Sequence, residues 1–415
     1  MLILPSTPDP ARDFAISVVQ TLRNAGYASL WAGGCVRDLL LGINPSDYDI
    51  ATDATPERVL QLFRRTTHVG ISFGVVRILG DKKSGDVEVA TFRSDGAYLD
   101  GRRPESIRFG SAREDAARRD FTINGMFLDP LNLELIDYVG GRDDLDNLIL
   151  RAIGDPHPRF VEDKLRLLRA ARFAARFDLT IEETTRQAII AMAHQVTVVA
   201  PERIAQELRR MLTHQSRASA ITLARDLGLI DVIFPNLASA PAEFWDETLQ
   251  VLTNLPQETS FPLGLAVLFA ELDNGKVMRI CQDLKLSNDE QSHVYWLIAN
   301  VHVIDLMRMP RVATLKRLLS HPYVADLQTW WKAKGVGAGA GAGAVKLVEF
   351  VEAYLRDLPD GPIDPPIILT GRDLIAAGHK PGPAFSVILD AVRTAQLEGE
   401  VTSRDLALKW VQDHF

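Results

Sequence analysis

The sequence is poor in cysteine, in long apolar runs and in basic residues near its start. Cys35 and Cys281 are the only cysteines among 415 residues, and they lack the spacing of metal ligands, so neither a disulfide nor a thiolate zinc site is expected. No apolar run approaches the length of a membrane span, and the opening stretch MLILPSTPDP has no basic segment. We therefore predict no membrane association and a cytoplasmic location.

The chain also has no excess of positive charge. Its formal net charge is -8, which by itself argues against a polyanionic partner. The basic residues are clustered, however, because residues 151–176 contain seven Lys or Arg and only three acids. Spacings of three and four residues predict one basic stripe along a helix, formed by Arg166, Arg169, Arg172 and Arg176. The alternative is a solvated helix face on which Glu162 and Arg166 are paired.

Residues 31–52, WAGGCVRDLLLGINPSDYDIAT, combine two patterns that are typical of a nucleotide site. Gly33 and Gly34 lie between a predicted strand and a predicted helix, where backbone N–H groups and the positive end of the helix favour a triphosphate. Asp47 and Asp49 share one face of the next predicted strand, and adjacent carboxylates of this kind fit around Mg²⁺. Together the patterns predict Mg²⁺-dependent nucleotidyl transfer, with both aspartates as catalytic metal ligands. Each pattern alone is also found in tight corners and helix caps.

This segment and three later ones resemble the class II tRNA nucleotidyltransferase and bacterial poly(A) polymerase family, part of the DNA polymerase beta superfamily. The first segment is similar to the family's GGxVRDxLLG and DxDxxT motifs, and the others are RRDFTING at 118–125, EDKLR at 162–166, and ERI with EL within 202–208. The four motifs cover roughly the first half of the chain. The resemblance implies an α+β fold: an N-terminal nucleotidyltransferase (polymerase beta-like) head with a mixed sheet, followed by an all-α neck, body and tail.

The sequence pattern changes near residue 151, from mixed strands and helices to helical spacing throughout. We predict four domains: a catalytic head at 1–150, a neck with a nucleotide-selecting helix at 151–212, a helical body at 213–334 and a helical tail for RNA binding at 345–415. The run GVGAGAGAGA at 335–344 predicts a flexible link. The polar, glycine-punctuated stretch 93–115 predicts a mobile loop that serves either as a lid or as a plain connection.

Asp163 and Arg166 are one helical turn apart, and we predict that they project from the same helix face. Cytosine and adenine present an amine beside an unprotonated ring nitrogen, whereas uracil and guanine present a carbonyl beside a ring N–H. A carboxylate facing the amine and a guanidinium facing the ring nitrogen therefore accept C and A but leave charges unpaired against U and G. The family gives this role to its EDxxR pair. The alternative is a simple ion pair within one helix.

The resemblance implies further nucleotide contacts at matched positions. Gly34, Arg37 and Arg119 would contact the triphosphate, Asp120 and Asn124 would lie near the ribose, and Arg169 and Arg172 would contact phosphates or the primer end. Glu88, on a predicted strand at 87–92, is the candidate for a third catalytic acid, because transferases of this superfamily commonly use a third acid as base. The alternative for Glu88 is a solubilising residue at a strand edge.

The expected activity is the template-independent addition of C, C and A to the 3′ end of tRNA from CTP and ATP. tRNA is then the macromolecular partner, Mg²⁺ is the cofactor, and no protein partner is predicted. The alternatives are an enzyme that adds only A, a poly(A) polymerase, and a non-catalytic RNA-binding protein. The segment HVGISFGVVRI at 68–78 is more similar to CCA-adding members than to poly(A) polymerases, and the intact Asp47 and Asp49 argue against a non-catalytic role.

Overall fold

The computed structural model describes residues 8–67, 74–95, 107–303, 311–336, 342–357 and 362–415. Three sequence features extend outside these ranges. They are the central part of the predicted loop at 93–115, the middle of the glycine-alanine run at 335–344, and the first part of the segment at 68–78. The proposals for the loop and for the link therefore stay predictions.

The strands of the described chain form one large mixed sheet and two short ribbons. The strands are β1 (Ser29–Ala32), β2 (Ile50–Thr52), β3 (Thr66–Thr67), β4 (Val75–Leu79), β5 (Asp86–Thr91), β6 (Arg93–Asp95), β7 (Ile107–Phe109), β8 (Phe127–Asp129), β9 (Glu134–Ile136), β10 (Ile149–Leu150) and β11 (Thr180–Ile181). The large sheet has the order β3-β4-β5-β2-β1-β8-β9, in which β2 and β5 are parallel and all other neighbours are antiparallel. The ribbons are β6 with β7 and β10 with β11.

Helices dominate the chain after residue 150, as the spacing of apolar residues predicts. They are α1 (Pro10–Asn24), α2 (Gly34–Leu40), α3 (Pro56–Leu62), α4 (Ala112–Ala117), α5 (Gly141–Asp146), α6 (Pro156–Glu162), α7 (Leu165–Phe177), α8 (Glu183–Met192), α9 (Pro201–Leu212), α10 (Arg217–Asp226), α11 (Leu229–Ile233), α12 (Ala242–Asn254), α13 (Phe261–Leu268), α14 (Asn274–Asp283), α15 (Asn288–Asn300), α16 (Val312–Leu319), α17 (Val324–Gly335), α18 (Ala342–Arg356), α19 (Gly371–Ala376), α20 (Ala384–Glu398) and α21 (Arg404–His414). The α+β class with a mixed sheet in the head is confirmed.

Helix α7 shows why these residues fold as they do. Leucine and alanine fill its inward face, and Leu167, Leu168 and Ala170 are fully buried. The arginines of the basic stripe follow one another along the same helix, at positions three and four residues apart. The helix ends at Phe177, and the next residue, Asp178, adopts the left-handed conformation that stops a helix.

The chain divides into two compact units, one made of Met1–Met211 with Ser219–Ala238 and one made of Leu212–Ala218 with Ser239–Phe415. The first unit contains the seven-stranded sheet, and the second contains helices α12 to α21. In the second unit, Leu374, Ile388 and Val392 belong to one buried apolar cluster. The finer division into four domains stays a prediction. None of the described helices is long and apolar enough to cross a bilayer.

Candidate nucleotide-binding site

A cavity of about 600 Å³ opens in the first unit between the head strands and helix α7. Thirteen residues are singled out by the sequence, and twelve of them line this cavity: Gly33, Gly34, Arg37, Asp47, Asp49, Arg119, Asp120, Asn124, Asp163, Arg166, Arg169 and Arg172. Six further residues complete the lining, namely Asp38, Ser46, Arg118, Phe173, Arg176 and Arg210. Residues that are up to 177 positions apart in the chain, from Gly33 to Arg210, thus share one concave surface.

The glycine turn between β1 and α2 requires glycine at its first position. Gly33 has φ 72° and ψ -121°, a conformation that side chains rarely adopt. A Cβ atom at Gly33 would lie 2.6 Å from Nη1 of Arg119, so a side chain would also displace this arginine. The turn therefore lets the backbone and the Arg119 guanidinium approach the same point in the cavity.

Asp47 and Asp49 precede strand β2, which begins at Ile50, so the prediction that both lie on the strand was wrong by a few residues. Tyr48 between them is buried and both aspartates are exposed, which keeps their carboxylates on the same side of the chain. Crowding of the Asp49 carboxylate by protein atoms, together with the charges of Asp47 and Glu88, raises the pKa of Asp49 to about 6. A divalent cation would relieve this repulsion.

The donor set at this point consists of two carboxylates. In the described ranges there is no group of three or more His, Cys, Asp or Glu side chains that could hold a metal ion. Two carboxylates nevertheless suit Mg²⁺, which commonly binds one or two protein oxygens and completes its octahedron with phosphates and water. The residues present therefore fit a substrate-assisted Mg²⁺ site.

Glu88 is the one predicted site residue that does not line the cavity. Strands β2 and β5 are parallel with Ile50 opposite Val89, which places Glu88 on the strand next to Asp49. Its carboxylate accepts a hydrogen bond from Nη2 of Arg77 at 2.7 Å and is about half exposed. Glu88 is thus close enough to influence Asp49 but is paired elsewhere, and a catalytic role for it stays a prediction.

Asp163 and Arg166 do not project from one helix, so this prediction was wrong. Helix α6 ends at Glu162, Asp163 is extended with φ -148° and ψ 104°, and α7 begins only at Leu165. The Asp163 carboxylate accepts a hydrogen bond from the backbone N–H of Leu165 at 3.1 Å and two from the guanidinium of Arg203 at 3.1 and 2.8 Å. These bonds favour a break in the helix, and both Asp163 and Arg166 still reach the cavity.

Arg166 is held from behind by two chain segments. Its Nη1 donates to the Glu162 carboxylate and to the Arg159 carbonyl, both at 2.8 Å. Its Nη2 donates to the Arg118 carbonyl at 3.1 Å. The pairing of Glu162 with Arg166, which the sequence offers as the alternative for the basic stripe, is therefore present, but it spans the break between α6 and α7.

Asp120 connects the RRDFTING segment to helix α7. Its Oδ2 accepts hydrogen bonds from Nε and Nη2 of Arg169 at 2.8 and 2.6 Å, and its Oδ1 accepts from Asn124 at 3.0 Å and from the N–H of Phe121 at 2.8 Å. Burial by itself would raise the pKa of Asp120, but Arg169 and these hydrogen bonds outweigh burial and hold the pKa well below its usual range. Asn124 in turn accepts a hydrogen bond from Nη1 of Arg37 at 2.6 Å.

Glu207, on helix α9, is a positioning residue that the choice of site residues from sequence missed: it holds arginines of the cavity but does not itself line it. It is 2% exposed, and it accepts hydrogen bonds from Arg172 at 2.5 Å and from Arg210 at 3.2 Å. It also forms an ion pair with Arg169, whose Nη1 lies 3.7 Å from Oε1 of Glu207. Burial lowers the pKa of Arg172 to about 10, and Glu207 opposes that change. The sequence signal was present, because Glu207 belongs to the ERI-EL motif.

Asp115 is a second positioning residue that was missed. It is 1% exposed and accepts hydrogen bonds from Arg118 through Oδ1 and from Arg119 through Oδ2, at 2.7 to 3.2 Å. These two arginines outweigh burial and lower the pKa of Asp115. The spacing of three and four residues from Asp115 to the two arginines is the signal that could have identified it.

Comparison with known proteins gives the same family along the whole chain. Residues 30–151 match the model of the Poly A polymerase head domain, and residues 178–240 match the model described as a probable RNA and SrmB-binding site of polymerase A. A CCA-adding enzyme of Limosilactobacillus reuteri is 32% identical over 411 residues, which are 98% of this chain and 96% of that protein. One from Oceanobacillus iheyensis is 37% identical over 289 residues, 69% of this chain and 70% of its own length.

Solved structures agree with these sequence matches. The crystal structure of the Bacillus stearothermophilus CCA-adding enzyme in complex with CTP superimposes with a TM-score of 0.80 at 28% identity, covering 98% of each chain. A Thermotoga maritima CCA-adding enzyme complexed with tRNA gives a TM-score of 0.62 at 21% identity, over 97% of this chain and 94% of that one, which is a likeness of fold.

Proposed function

This chain belongs to the family of CCA-adding enzymes, and we propose that it adds C, C and A to the 3′ end of tRNA from CTP and ATP without a nucleic-acid template. The observation that carries the proposal is the convergence of twelve motif residues on one cavity, in a chain that is similar to a CCA-adding enzyme along 98% of its length. A match to the Poly A polymerase head model alone would leave poly(A) synthesis equally open. The full-length relatives favour CCA addition. We likewise propose a cytoplasmic location, where CTP, ATP and tRNA occur.

Asp47 and Asp49 would hold the divalent cation, for which we propose Mg²⁺. A cation bound there would activate the primer 3′-hydroxyl and neutralise charge on the leaving pyrophosphate. The glycine turn presents backbone N–H groups to the triphosphate, and Asp115 holds Arg119 beside Gly33. The work of the protein is mainly to position the α-phosphate for attack.

The remaining hydrogen-bonding capacity of Asp163 and Arg166 suits the proposed base selection. In the described structure, Oδ2 of Asp163 accepts one hydrogen bond, from Arg203, and can accept another from an exocyclic amine. Both protons of Arg166 Nη1 are used, whereas one proton of Nη2 and the Nε proton are left for a ring nitrogen. Asp163 thus keeps an acceptor and Arg166 keeps donors for a base, while their other hydrogen bonds hold both side chains at the cavity.

The chemistry is tested by Asp47→Asn and Asp49→Asn, with Asp53→Asn as the control. Each of the first two variants removes a metal-binding charge but keeps the side-chain shape, and release of pyrophosphate with tRNA, CTP and ATP should fall on the order of a thousandfold. Asp53 is exposed and does not line the cavity, so its variant should match the wild type. Near-normal release by either cavity variant would contradict the assignment of the metal ligands.

A further inference from the structure

Eight arginines line the cavity, and among the residues that the structure describes all of them except Arg176 form an ion pair with a carboxylate. Within the part of the chain that the structure describes, the Arg176 guanidinium forms no ion pair and no hydrogen bond. It lies over the ring of Phe177, 5.2 Å from the ring centroid, and the residue is exposed. Arg176 therefore brings a full positive charge to the cavity without a compensating partner.

The surroundings of Arg176 add positive charge. The guanidinium of Arg37 lies over the same Phe177 ring, at 4.2 Å from the centroid. Arg37 is 5% exposed and its charge is balanced by Asp38, which accepts hydrogen bonds at 2.9 and 2.6 Å. Arg176 has no such balance, and its charge is one of the influences that lower the pKa of Arg37, after burial. An anion bound beside Arg176 would remove this repulsion.

The location of Arg37 and Arg176 indicates which anion would bind beside Arg176. A Cβ atom at Gly34 would lie 3.6 Å from Nη2 of Arg37, so Arg37 reaches the glycine turn. Arg176 shares the Phe177 ring with Arg37 and lies on the last turn of α7. It is therefore on the side of the cavity where the backbone N–H groups of the turn favour terminal phosphates.

The paired arginines are less suited to this task. Arg169 directs Nε and Nη2 to Asp120, and Arg172 directs Nε to Glu207 at 2.5 Å. Either group has to share its protons when a phosphate binds, whereas Arg176 can offer all five of its N–H donors. Ion pairs of this kind keep the cavity in shape, and an unpaired guanidinium contributes more of its charge to a ligand.

We propose that Arg176 binds the terminal phosphates of CTP and ATP, as a triphosphate contact outside the sequence motifs. The inference rests on the proposed function and adds a binding residue to the same site. A phosphodiester of the RNA primer has the same chemistry, so the experiment must separate the two sources.

The test compares Arg176→Gln and Arg176→Lys with a control at another exposed arginine, Arg279→Gln. Arg279 is also exposed, but it lies on helix α14 of the second unit and does not line the cavity. Two readouts are used: kcat and KM for CTP, for ATP and for tRNA, and calorimetric binding of inorganic tripolyphosphate without metal or RNA. Thermal unfolding of each variant confirms that the exposed substitution leaves the fold intact.

Arg176→Gln should raise KM for CTP and for ATP about tenfold, the usual effect of losing a charge-assisted hydrogen bond, with kcat and the KM for tRNA little changed. It should weaken tripolyphosphate binding by a similar factor, and Arg176→Lys should restore most of the loss. Arg279→Gln should match the wild type. An increase in the KM for tRNA alone would overturn the triphosphate assignment in favour of the RNA, and no change in any parameter would overturn it outright. If the wild type adds no nucleotide, the proposed function fails, while tripolyphosphate binding still tests Arg176.

Discussion

The carboxylate of Asp163 is held by the guanidinium of Arg203, with two hydrogen bonds of 3.1 and 2.8 Å across 40 residues of sequence. Asp163 lies in the break between helices α6 and α7, where its Oδ1 also accepts a hydrogen bond from the N–H of Leu165, whereas its Oδ2 is held by Arg203. Its direction therefore depends on helix α9, which carries Arg203. If Asp163 selects the base, the accuracy of this selection depends on an arginine that does not itself line the cavity.

Arg203→Met should therefore reduce base selectivity more than it reduces folding. Without the two hydrogen bonds, Asp163 can turn away from the exocyclic amine, and incorporation of UTP relative to CTP should rise about tenfold. Single-nucleotide addition to a tRNA transcript measures this ratio. Arg186→Met is a suitable control, because Arg186 lies on α8 and does not line the cavity. Unchanged selectivity in Arg203→Met would contradict the prediction that base selection depends on the hydrogen bonds from Arg203 to Asp163.

Direct removal of the selecting groups should give two different results. Asp163→Ala removes the acceptor for the amine and the repulsion against carbonyl oxygens, so UTP and GTP incorporation should rise relative to CTP and ATP. Arg166→Ala should depress CTP and ATP incorporation together, because both bases present an unprotonated ring nitrogen. Competition between all four nucleotides, followed by sequencing of product ends, distinguishes these outcomes. If Asp163→Ala kept the selectivity of the wild type, this result would contradict base selection by Asp163.

Local sequence patterns predicted most of the site, and long-range pairing explains the rest. The glycine turn, the Asp47 and Asp49 pair and the arginine stripe of α7 can each be read from fewer than 25 residues of sequence. The helix break at Asp163 could not be read in this way, because its partner Arg203 lies 40 residues away. A continuous helix from the EDKLR segment onward is the natural expectation when this hydrogen bond is unknown.

The same limit applies to the residues behind the cavity wall. Glu207 meets Arg172 across 35 residues, and its burial depends on the packing of α9 that brings it to α7. Glu88 shows the opposite effect, because the strand position was predicted well but the pairing with Arg77 on the neighbouring strand was not. Sequence patterns thus indicate which residues lie near a site, and tertiary packing decides which of these residues are paired with other side chains.

Gly33→Ala should impair nucleotide binding beyond its effect on stability. The new alanine would have to adopt a positive φ. Its methyl group would lie 2.6 Å from Nη1 of Arg119, so the arginine would have to move. Gly26→Ala is the matched control, since Gly26 has φ 89° and a Cβ atom added there would meet no atom within 4 Å. Both variants should lose about 1 to 3 kcal/mol of stability through backbone strain. Only Gly33→Ala should also raise KM for CTP and ATP, and equal KM values for the two variants would contradict the close approach of Arg119.

The ion pair of Asp120 with Arg169 should give a defined dependence of stability on pH. The pKa of Asp120 is lower in the folded protein than its ordinary value near 4, so the pair stabilises the fold fully above that value. This contribution is lost as the pH falls below about 4 towards the lower folded pKa. Asp120→Asn should thus reduce the free energy of unfolding by about 1 to 3 kcal/mol at pH 7.

The difference between wild type and Asp120→Asn should then shrink as the pH is lowered below 4. Urea unfolding at a series of pH values measures it. A difference that stays constant from pH 7 to the acid limit would show that the charge of Asp120 does not stabilise the fold.

The most direct test of the proposed function uses a tRNA transcript that lacks its 3′ CCA, incubated with the wild-type protein and with CTP and ATP separately and together. Sequencing of the product ends then gives the order of addition. We expect two C residues with CTP alone, and C, C and a single terminal A with both nucleotides, after which addition stops. A ladder of A residues, or addition of A without C, would contradict it in favour of a poly(A) polymerase or an A-adding enzyme, and no extension under any condition would favour a non-catalytic RNA-binding protein.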